Sequence, residues 1–116
     1  MNILFCDDEP DILELYLLEL ENLAPEHNYF MATHAHMALD ICKREKIDII
    51  FTDLEMPNMN GIQLLQKLKN QSFAPKKAYM ITGFVKNFDP SHEIHHLVET
   101  VYPKPPNFEI LLGALA

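Results

Sequence analysis

The chain has 116 residues, a length that predicts one domain, residues 1–116, built around one hydrophobic core. Hydrophobic residues make up 48% of the sequence, as expected of a folded globular protein. The formal net charge of −8 argues against direct binding to nucleic acid or to an anionic membrane surface. Without a signal-peptide pattern, an apolar run of membrane-spanning length or metal-type cysteine spacing, the chain is expected to be cytoplasmic.

Apolar runs and segments with helical periodicity alternate along the whole chain. The first strand is predicted at 2–6, and a helix follows from Pro10, a favourable first-turn residue, to about Leu23. Such alternation is typical of βαβ units, so we predict an α/β fold with a doubly wound (βα)5 parallel sheet of five strands in three αβα layers. The other strands are predicted at 29–32, 47–52, 78–82 and 100–102, and the other helices at about 35–46 and 61–70, from Asp89 and from near Asn107.

The first predicted helix is unusually rich in leucine. We favour the interpretation that the leucines form a wide stripe facing the core. The alternative is an apolar docking surface for the helix bundle of a partner. The leucines are Leu13, Leu15, Leu17, Leu18, Leu20 and Leu23.

Polar residues with related chemistry follow four of the predicted strands. They are Asp7 and Asp8 after the first, Asp53 after the third, Thr82 and Gly83 after the fourth, and Lys104 after the fifth. In a parallel sheet, ligands bind at the carboxyl ends of the strands. One acid before a helix is usually a cap, but three acids at one site repel one another unless a cation is present. Mg²⁺ fits such a site, because it prefers carboxylate and phosphate oxygens.

Four motifs give the chain a resemblance to a known family. They are the acidic pair Asp7 and Asp8, the stretch DLEMPNMNG at 53–61, Thr82 followed by a small residue, and the Lys-Pro pair at Lys104 and Pro105. In spacing and order, over the whole chain, they resemble the receiver domains of two-component response regulators. The resemblance implies the flavodoxin-like strand order 2-1-3-4-5. It also implies a signalling switch that catalyses its own phosphorylation and slow dephosphorylation, not an enzyme in the usual sense.

The resemblance assigns the phosphoryl group and the metal to particular residues. Asp53 would accept the phosphoryl group from the phosphohistidine of a sensor histidine kinase or a histidine phosphotransfer protein. Mg²⁺, for which Mn²⁺ can substitute, would be held by Asp8, Asp53 and the backbone carbonyl of Glu55, while Asp7 acts largely through water.

Other residues would bind the phosphoryl oxygens or shape the loops. By the same resemblance, Lys104 pairs with Asp53 before transfer and with the phosphoryl group after it, and Thr82 donates a hydrogen bond to another oxygen. Gly83, where the family usually has alanine, is counted among the ligand-binding residues. Pro57 is expected to fix the loop after the acceptor, and Gly61 to provide a positive φ before the third helix.

The resemblance also predicts how the signal leaves the domain. Phosphorylation would repack a face made of the fourth helix, the fifth strand and the fifth helix, which binds an output domain or a target protein; a homodimer is a further partner that it allows. The chain departs from the family at Val101, where an aromatic switch residue is usual. Tyr102, one place later, is expected to be a core residue.

Four other functions have some support in the sequence. The pattern HEIHH at 92–96 matches a zinc-protease motif, but Glu99 and Tyr102 stand where the longer motif needs glycine and histidine, so we interpret it as a polar helix face. A dehalogenase-type phosphohydrolase has its nucleophile before the acidic pair, and an FMN-binding flavodoxin needs a loop rich in hydroxyls and glycine after the first strand. The remaining alternative is a receiver-like interaction module that works without phosphorylation.

Overall fold

The structure is a computed structural model that describes residues 1–83 and 96–115. The helix predicted from Asp89 and most of the HEIHH pattern lie outside these ranges. Within the described residues there are five strands and four helices, and the last helix corresponds to the one predicted from near Asn107. In chain order the elements are β1 (Asn2–Cys6), α1 (Pro10–Leu23), β2 (Asn28–Ala32), α2 (Ala35–Arg44), β3 (Ile49–Asp53), α3 (Gly61–Leu68), β4 (Lys77–Thr82), β5 (Val101–Pro103) and α4 (Phe108–Gly113).

The five strands form one parallel sheet in the order β2-β1-β3-β4-β5. This confirms the predicted α/β class and the strand order 2-1-3-4-5. The two strands that read as almost continuous apolar runs, β1 and β3, are neighbours near the centre of the sheet, with Ile3 opposite Ile49 and Phe5 opposite Phe51. Both faces of a central parallel strand are covered, so alternate polar residues have no place there.

The core is divided into two halves by the sheet. Residues Leu4 and Ile50 pack on one side with α2 and α3, whose buried residues include Leu64. Their neighbours Ile3 and Phe51 point to the other side, where they meet residues of α1 and α4. Because successive residues of a strand point to opposite faces, β1 and β3 each contribute to both halves. The described chain is therefore a three-layer αβα domain.

The leucines of α1 are divided between core and surface. Leu13 and Leu20 are buried together with Tyr16, but Leu15 is 46% exposed and Leu18 is 65% exposed. The expectation that the leucines form one wide core-facing stripe is therefore wrong for Leu15 and Leu18. The reason is geometric, because α1 touches the sheet on one side only and residues at steps of three and four share that side.

No helix among the described residues is long and apolar enough to cross a membrane.

Candidate functional site

Three carboxylates meet at the carboxyl edge of the sheet. Asp53 is the last residue of β3, and Asp7 and Asp8 directly follow the neighbouring strand β1. One oxygen from each of the three side chains lies within 4.8 Å of the other two. Asp7 and Asp53 are buried, whereas Asp8 is exposed. The arrangement offers a hard cation three oxygen ligands on the open side of the site.

One ammonium group stands among these acids. The Nζ atom of Lys104 lies 2.8 Å from Oδ2 of Asp7, 3.3 Å from Oδ2 of Asp53 and 3.5 Å from Oε2 of Glu9. The backbone N–H of Lys104 donates to the carbonyl oxygen of Thr82, over 3.1 Å, which holds the lysine beside the end of β4. In this structure the closest partner of Lys104 is therefore Asp7, and Asp53 is the second.

The electrostatics of the site follow from burial and crowding. Burial, with the nearby charge of Asp7, raises the pKa of Asp53 to about 6, although Lys104 acts in the opposite direction. Burial alone would lower the pKa of Lys104, but its hydrogen bond to Asp7 and the charge of Asp53 outweigh that effect and raise it. A single ammonium thus does not neutralise the acids around it, and a divalent cation would supply the missing positive charge.

The acids open onto a cavity of about 600 Å³. Asp53, although only 8% exposed, is one of the residues that line it. Glu55, two residues after Asp53, is exposed and contributes to the wall. The described residues that line the cavity are Asp8, Glu9, Asp53, Glu55, Met56, Pro57, Asn60 and Lys104.

Thr82 and Gly83, at the end of β4, differ in burial. Thr82 ends β4, next to β3, and is 1% exposed. Its neighbour Ile81 is the sheet partner of Asp53, so Thr82 lies one residue further along the adjacent strand. Gly83 is exposed, a Cβ built on it would meet no atom within 4 Å, and it is not among the described residues that line the cavity. The structure therefore places Thr82 on the strand next to Asp53, but neither Thr82 nor Gly83 is among the described residues that line the cavity.

The loop between Asp53 and α3 shows why residue 61 is glycine. The expectation of a positive φ at Gly61 is wrong, because the positive φ in this loop belongs to Asn58, at 70°. Gly61 is needed for space, since a Cβ there would fall on the backbone carbonyl oxygen of Asp53 and within 3.1 Å of the Cε atom of Met80. The N–H of Gly61 also donates to the carbonyl oxygen of Leu54, over 2.8 Å. Backbone thus packs on backbone behind the acid.

A capping box fixes the start of α3 at the same place. The side-chain oxygen of Asn60 accepts from the N–H of Gln63 over 2.9 Å, and the side-chain oxygen of Gln63 accepts from the N–H of Asn60 over 2.9 Å. The two bonds satisfy backbone donors that the first turn leaves free. The helix is thereby anchored directly behind Asp53.

Glu9 is a site residue that is not among the motifs of the sequence. It is the residue that precedes α1, but its side chain makes no capping bond. Its carboxylate instead approaches Lys104, and its N–H donates to Oδ1 of Asp7 over 2.9 Å. The signal in the sequence was the run of three acids at 7–9, in which the third acid adds to the ion-pair group of Lys104.

The aromatic residue of β5 belongs to the core. The ring of Tyr102 lies 5.8 Å from that of Tyr79 and 6.4 Å from that of Phe51, on the side of the sheet that faces α1 and α4. Val101 points to the opposite side, towards α2 and α3. Tyr102 therefore extends a row of rings across the sheet, and its neighbour Val101 occupies the position where the resemblance implies an aromatic switch residue.

Comparison with known proteins gives one consistent family. The family model of the response regulator receiver domain matches residues 3–116. The chain is 33% identical over 73 residues to the response regulator GtcR of Aneurinibacillus migulanus, covering 63% of this chain and 29% of that protein. It is 34% identical over 67 residues to the sporulation initiation phosphotransferase F of Bacillus subtilis, covering 58% and 52%. The matches thus span about half or less of these relatives.

Solved structures show the same fold over nearly the whole chain. The signal receiver domain of a DNA-binding response regulator from Colwellia psychrerythraea is 26% identical, with a TM-score of 0.87 over 99% of this chain and 94% of that one. The response regulator protein TrrA from Thermotoga maritima, solved in complex with Mg²⁺-BeF, is 24% identical, with a TM-score of 0.83 over 98% and 95%. At 24% identity, the similarity to TrrA is evidence for a shared fold only.

Proposed function

The chain belongs to the response regulator receiver domain family, and from this premise we propose that Asp53 accepts a phosphoryl group from a phosphohistidine in a two-component phosphorelay. The observation that carries the proposal is the position of Asp53. It is a carboxylate with a raised pKa at the end of β3, 8% exposed, which still lines an open cavity. Two further acids and one ammonium stand around it.

The geometry suits the chemistry of phosphoryl transfer. A carboxylate oxygen of Asp53 would attack phosphorus in line with the bond to the donor imidazole, so that a P–O bond forms while the P–N bond breaks and its electron pair returns to the donor. The transition state is loose and spreads charge over three equatorial oxygens, so the site must mainly position cations and hydrogen-bond donors. Lys104, 3.3 Å from Asp53, can follow one of these oxygens, and the hydroxyl of Thr82 can donate to another.

The donor set fits a magnesium ion. Asp8, Asp53 and the backbone carbonyl of Glu55 would hold it, and Asp7, which is buried and paired with Lys104, would act through water. When bound, the ion would neutralise charge that develops on the phosphoryl oxygens. Mn²⁺ has the same preference for oxygen ligands and can take its place.

The consequence of phosphorylation would be a switch, not the turnover of a substrate. The modification adds a charge of about −1.5 to −2 beside Thr82 and Lys104, and both residues would follow the new acceptors. β5 and α4 lie next to these residues and form the described part of the face through which an output domain, a target protein or a second copy would respond. The alternative is an interaction module that works without phosphorylation.

The decisive prediction concerns the mass of the intact protein. After incubation with acetyl phosphate and Mg²⁺, the wild type is expected to gain the mass of one phosphoryl group, whereas Asp53→Ala gains none, because the nucleophile is absent. Chelation of the metal should remove the gain in the wild type, since the charge of the transferring group is then left uncompensated.

The control is Asp48→Ala, which removes an acid at the opposite edge of the sheet, where its carboxylate accepts from the N–H of Asn2 over 2.8 Å. This variant should be modified like the wild type. If neither the wild type nor Asp48→Ala gains mass under any of these conditions, the alternative of a phosphorylation-independent module takes over.

The exposed leucines of α1 support a helical partner that docks beside the site. Leu15 and Leu18 lie one turn apart on the solvent side of the helix that follows Asp8. We expect Leu18→Lys to slow transfer from a phosphorylated histidine phosphotransfer protein about tenfold or more, because a charge replaces buried apolar contact. Transfer from acetyl phosphate should not change. Leu23→Lys, at the far end of α1, is the control; equal effects of the two variants would contradict docking at this surface.

A further inference from the structure

The hydroxyl group of Tyr16 is an unusual feature of the core. Tyr16 is 3% exposed, and its hydroxyl is the one buried side-chain polar atom of the described residues that has no hydrogen-bond partner. A buried donor without a partner costs stability, and phenylalanine would fill the same space without that cost. A tyrosine at this position is therefore expected to form a hydrogen bond in another conformational state of the protein.

The ring of Tyr16 lies between two segments that lead to the acids and to the lysine. Its centroid is 5.5 Å from that of Phe5, two residues before Asp7, and 5.6 Å from that of Phe108, four residues after Lys104. Burial raises the pKa of Tyr16, and among the charged groups Asp7 contributes most to that rise. The hydroxyl therefore keeps its proton and remains a neutral donor, in the half of the core that includes Phe5 and lies on the α1 side of the sheet.

The hydrogen bonds of Asp7 show where a donor will be needed. Its Oδ1 accepts from the N–H of Glu9 over 2.9 Å, and its Oδ2 accepts from Lys104 over 2.8 Å. If Lys104 turns to a phosphoryl group on Asp53, Oδ2 loses its nearest partner while Asp7 stays buried. A buried carboxylate oxygen that loses a charged partner is costly, so a replacement donor has a large effect at this point.

We propose that Tyr16 is a positioning residue, whose hydroxyl donates to Asp7 once Lys104 has moved from Asp7 to the phosphoryl group. This inference rests on the proposed function of Asp53. A hydroxyl that is unpaired in the resting state and paired in the phosphorylated state contributes a differential interaction, so it shifts the equilibrium between the two states towards the phosphorylated one. Tyr16 thereby couples the α1 side of the core to the occupancy of Asp53.

The test compares Tyr16→Phe with the wild type by thermal unfolding and by titration with beryllofluoride, which mimics the phosphoryl group. In chelator, Tyr16→Phe should unfold at the same temperature as the wild type or higher, because an unpaired hydroxyl is removed. With Mg²⁺ present, its affinity for beryllofluoride should fall about tenfold, as expected when one hydrogen bond to a charged group is lost. In the wild type, the hydroxyl proton of Tyr16 should become visible by NMR only in the beryllofluoride state.

Tyr29→Phe is the matched control, because the hydroxyl of Tyr29 donates to the carbonyl oxygen of Ala24 over 2.6 Å in the resting state, away from the acids. That variant should lose stability in chelator and keep the affinity of the wild type. Equal beryllofluoride affinity of Tyr16→Phe and wild type would overturn the inference alone, as would a lower unfolding temperature of Tyr16→Phe in chelator. A wild type that binds no beryllofluoride would overturn the proposed function, and this inference with it.

Discussion

Gly61→Ala is expected to lower the free energy of unfolding by about 3 kcal/mol, at the upper end of the usual cost of overpacking. The added Cβ would fall on the carbonyl oxygen of Asp53, and Met80 leaves no space on the other side. A clash with a flexible side chain can be relieved by rotation, but here the obstacle is backbone. Either the end of β3 or the first turn of α3 must move, and the capping box at Asn60 resists the second choice.

The same change should reach the function, because the displaced carbonyl belongs to the residue proposed as phosphoacceptor. We expect Gly61→Ala to be phosphorylated by acetyl phosphate at least about tenfold more slowly than the wild type, since displacement of a reacting group by about 1 Å can cost a hundredfold. Urea denaturation and intact mass measure the two effects. Gly113→Ala is the control, because a Cβ on Gly113 meets no atom within 4 Å. Equal stability of Gly61→Ala and Gly113→Ala would contradict the conclusion that glycine is needed at position 61 for lack of space.

Gly61 is an example of what the sequence could and could not predict in the loops. Its position before α3 indicated that glycine was required there. Either a positive φ or a lack of space for a Cβ would select glycine, so the sequence could not show which of the two applied. The distinction depends on how closely α3 approaches β3, which is a property of the packed domain. The positive φ fell instead on Asn58, a residue type that tolerates it better than most.

The strands were predictable because buried strands consist almost entirely of apolar residues. β1 and β3 are covered on both faces, and an apolar run of about five residues can satisfy that condition in few other ways. α1 was harder to interpret, because leucine favours helices whether it is buried or exposed. Composition alone therefore could not separate Leu13, which is buried, from Leu18, which is not.

Some features of the site could likewise be predicted from the sequence, and others could not. The convergence of Asp7, Asp8 and Asp53 follows from topology, since residues after neighbouring parallel strands must meet at one edge. The pairing of Lys104 depends on side-chain conformation. In the structure its shortest contact is to the carboxylate of Asp7, at 2.8 Å, and its contact with Asp53 is longer, at 3.3 Å. Such a preference reflects differences in desolvation and distance that no sequence motif encodes.

Lys104→Met is expected to lower the free energy of unfolding of the metal-free protein by about 3 kcal/mol near neutral pH. The change leaves Asp7 and Asp53 buried without their shared cation, and removal of one partner from a buried pair costs about 3–5 kcal/mol. The lower value applies because 18% of the lysine side chain is exposed. Addition of Mg²⁺ should restore part of the lost free energy of unfolding, since the ion brings positive charge to the same acids. Lys67→Met, on the exposed side of α3, is the control.

The pH dependence gives this prediction its sharpest form. The pKa of Asp53 is raised from 3.8 to about 6 in the folded protein, so between these values the unfolded chain releases the proton first. The folded state then binds more protons than the unfolded state, and the stability of the metal-free wild type should fall as the pH rises from about 4 to 6.

In Lys104→Met the opposing cation is gone, so the pKa of Asp53 should rise further and the loss of stability should extend to higher pH. The two proteins should therefore differ less at about pH 4.5, where Asp53 is protonated in the folded state of both, than at about pH 7.5; the part of the difference that comes from the contact of Lys104 with Asp7 is present at both. Chemical denaturation in chelator across this range measures the difference. A difference that stays constant with pH would mean that Lys104 stabilises the fold through its contact with Asp7 or through packing of its aliphatic stem, and not through the charge of Asp53.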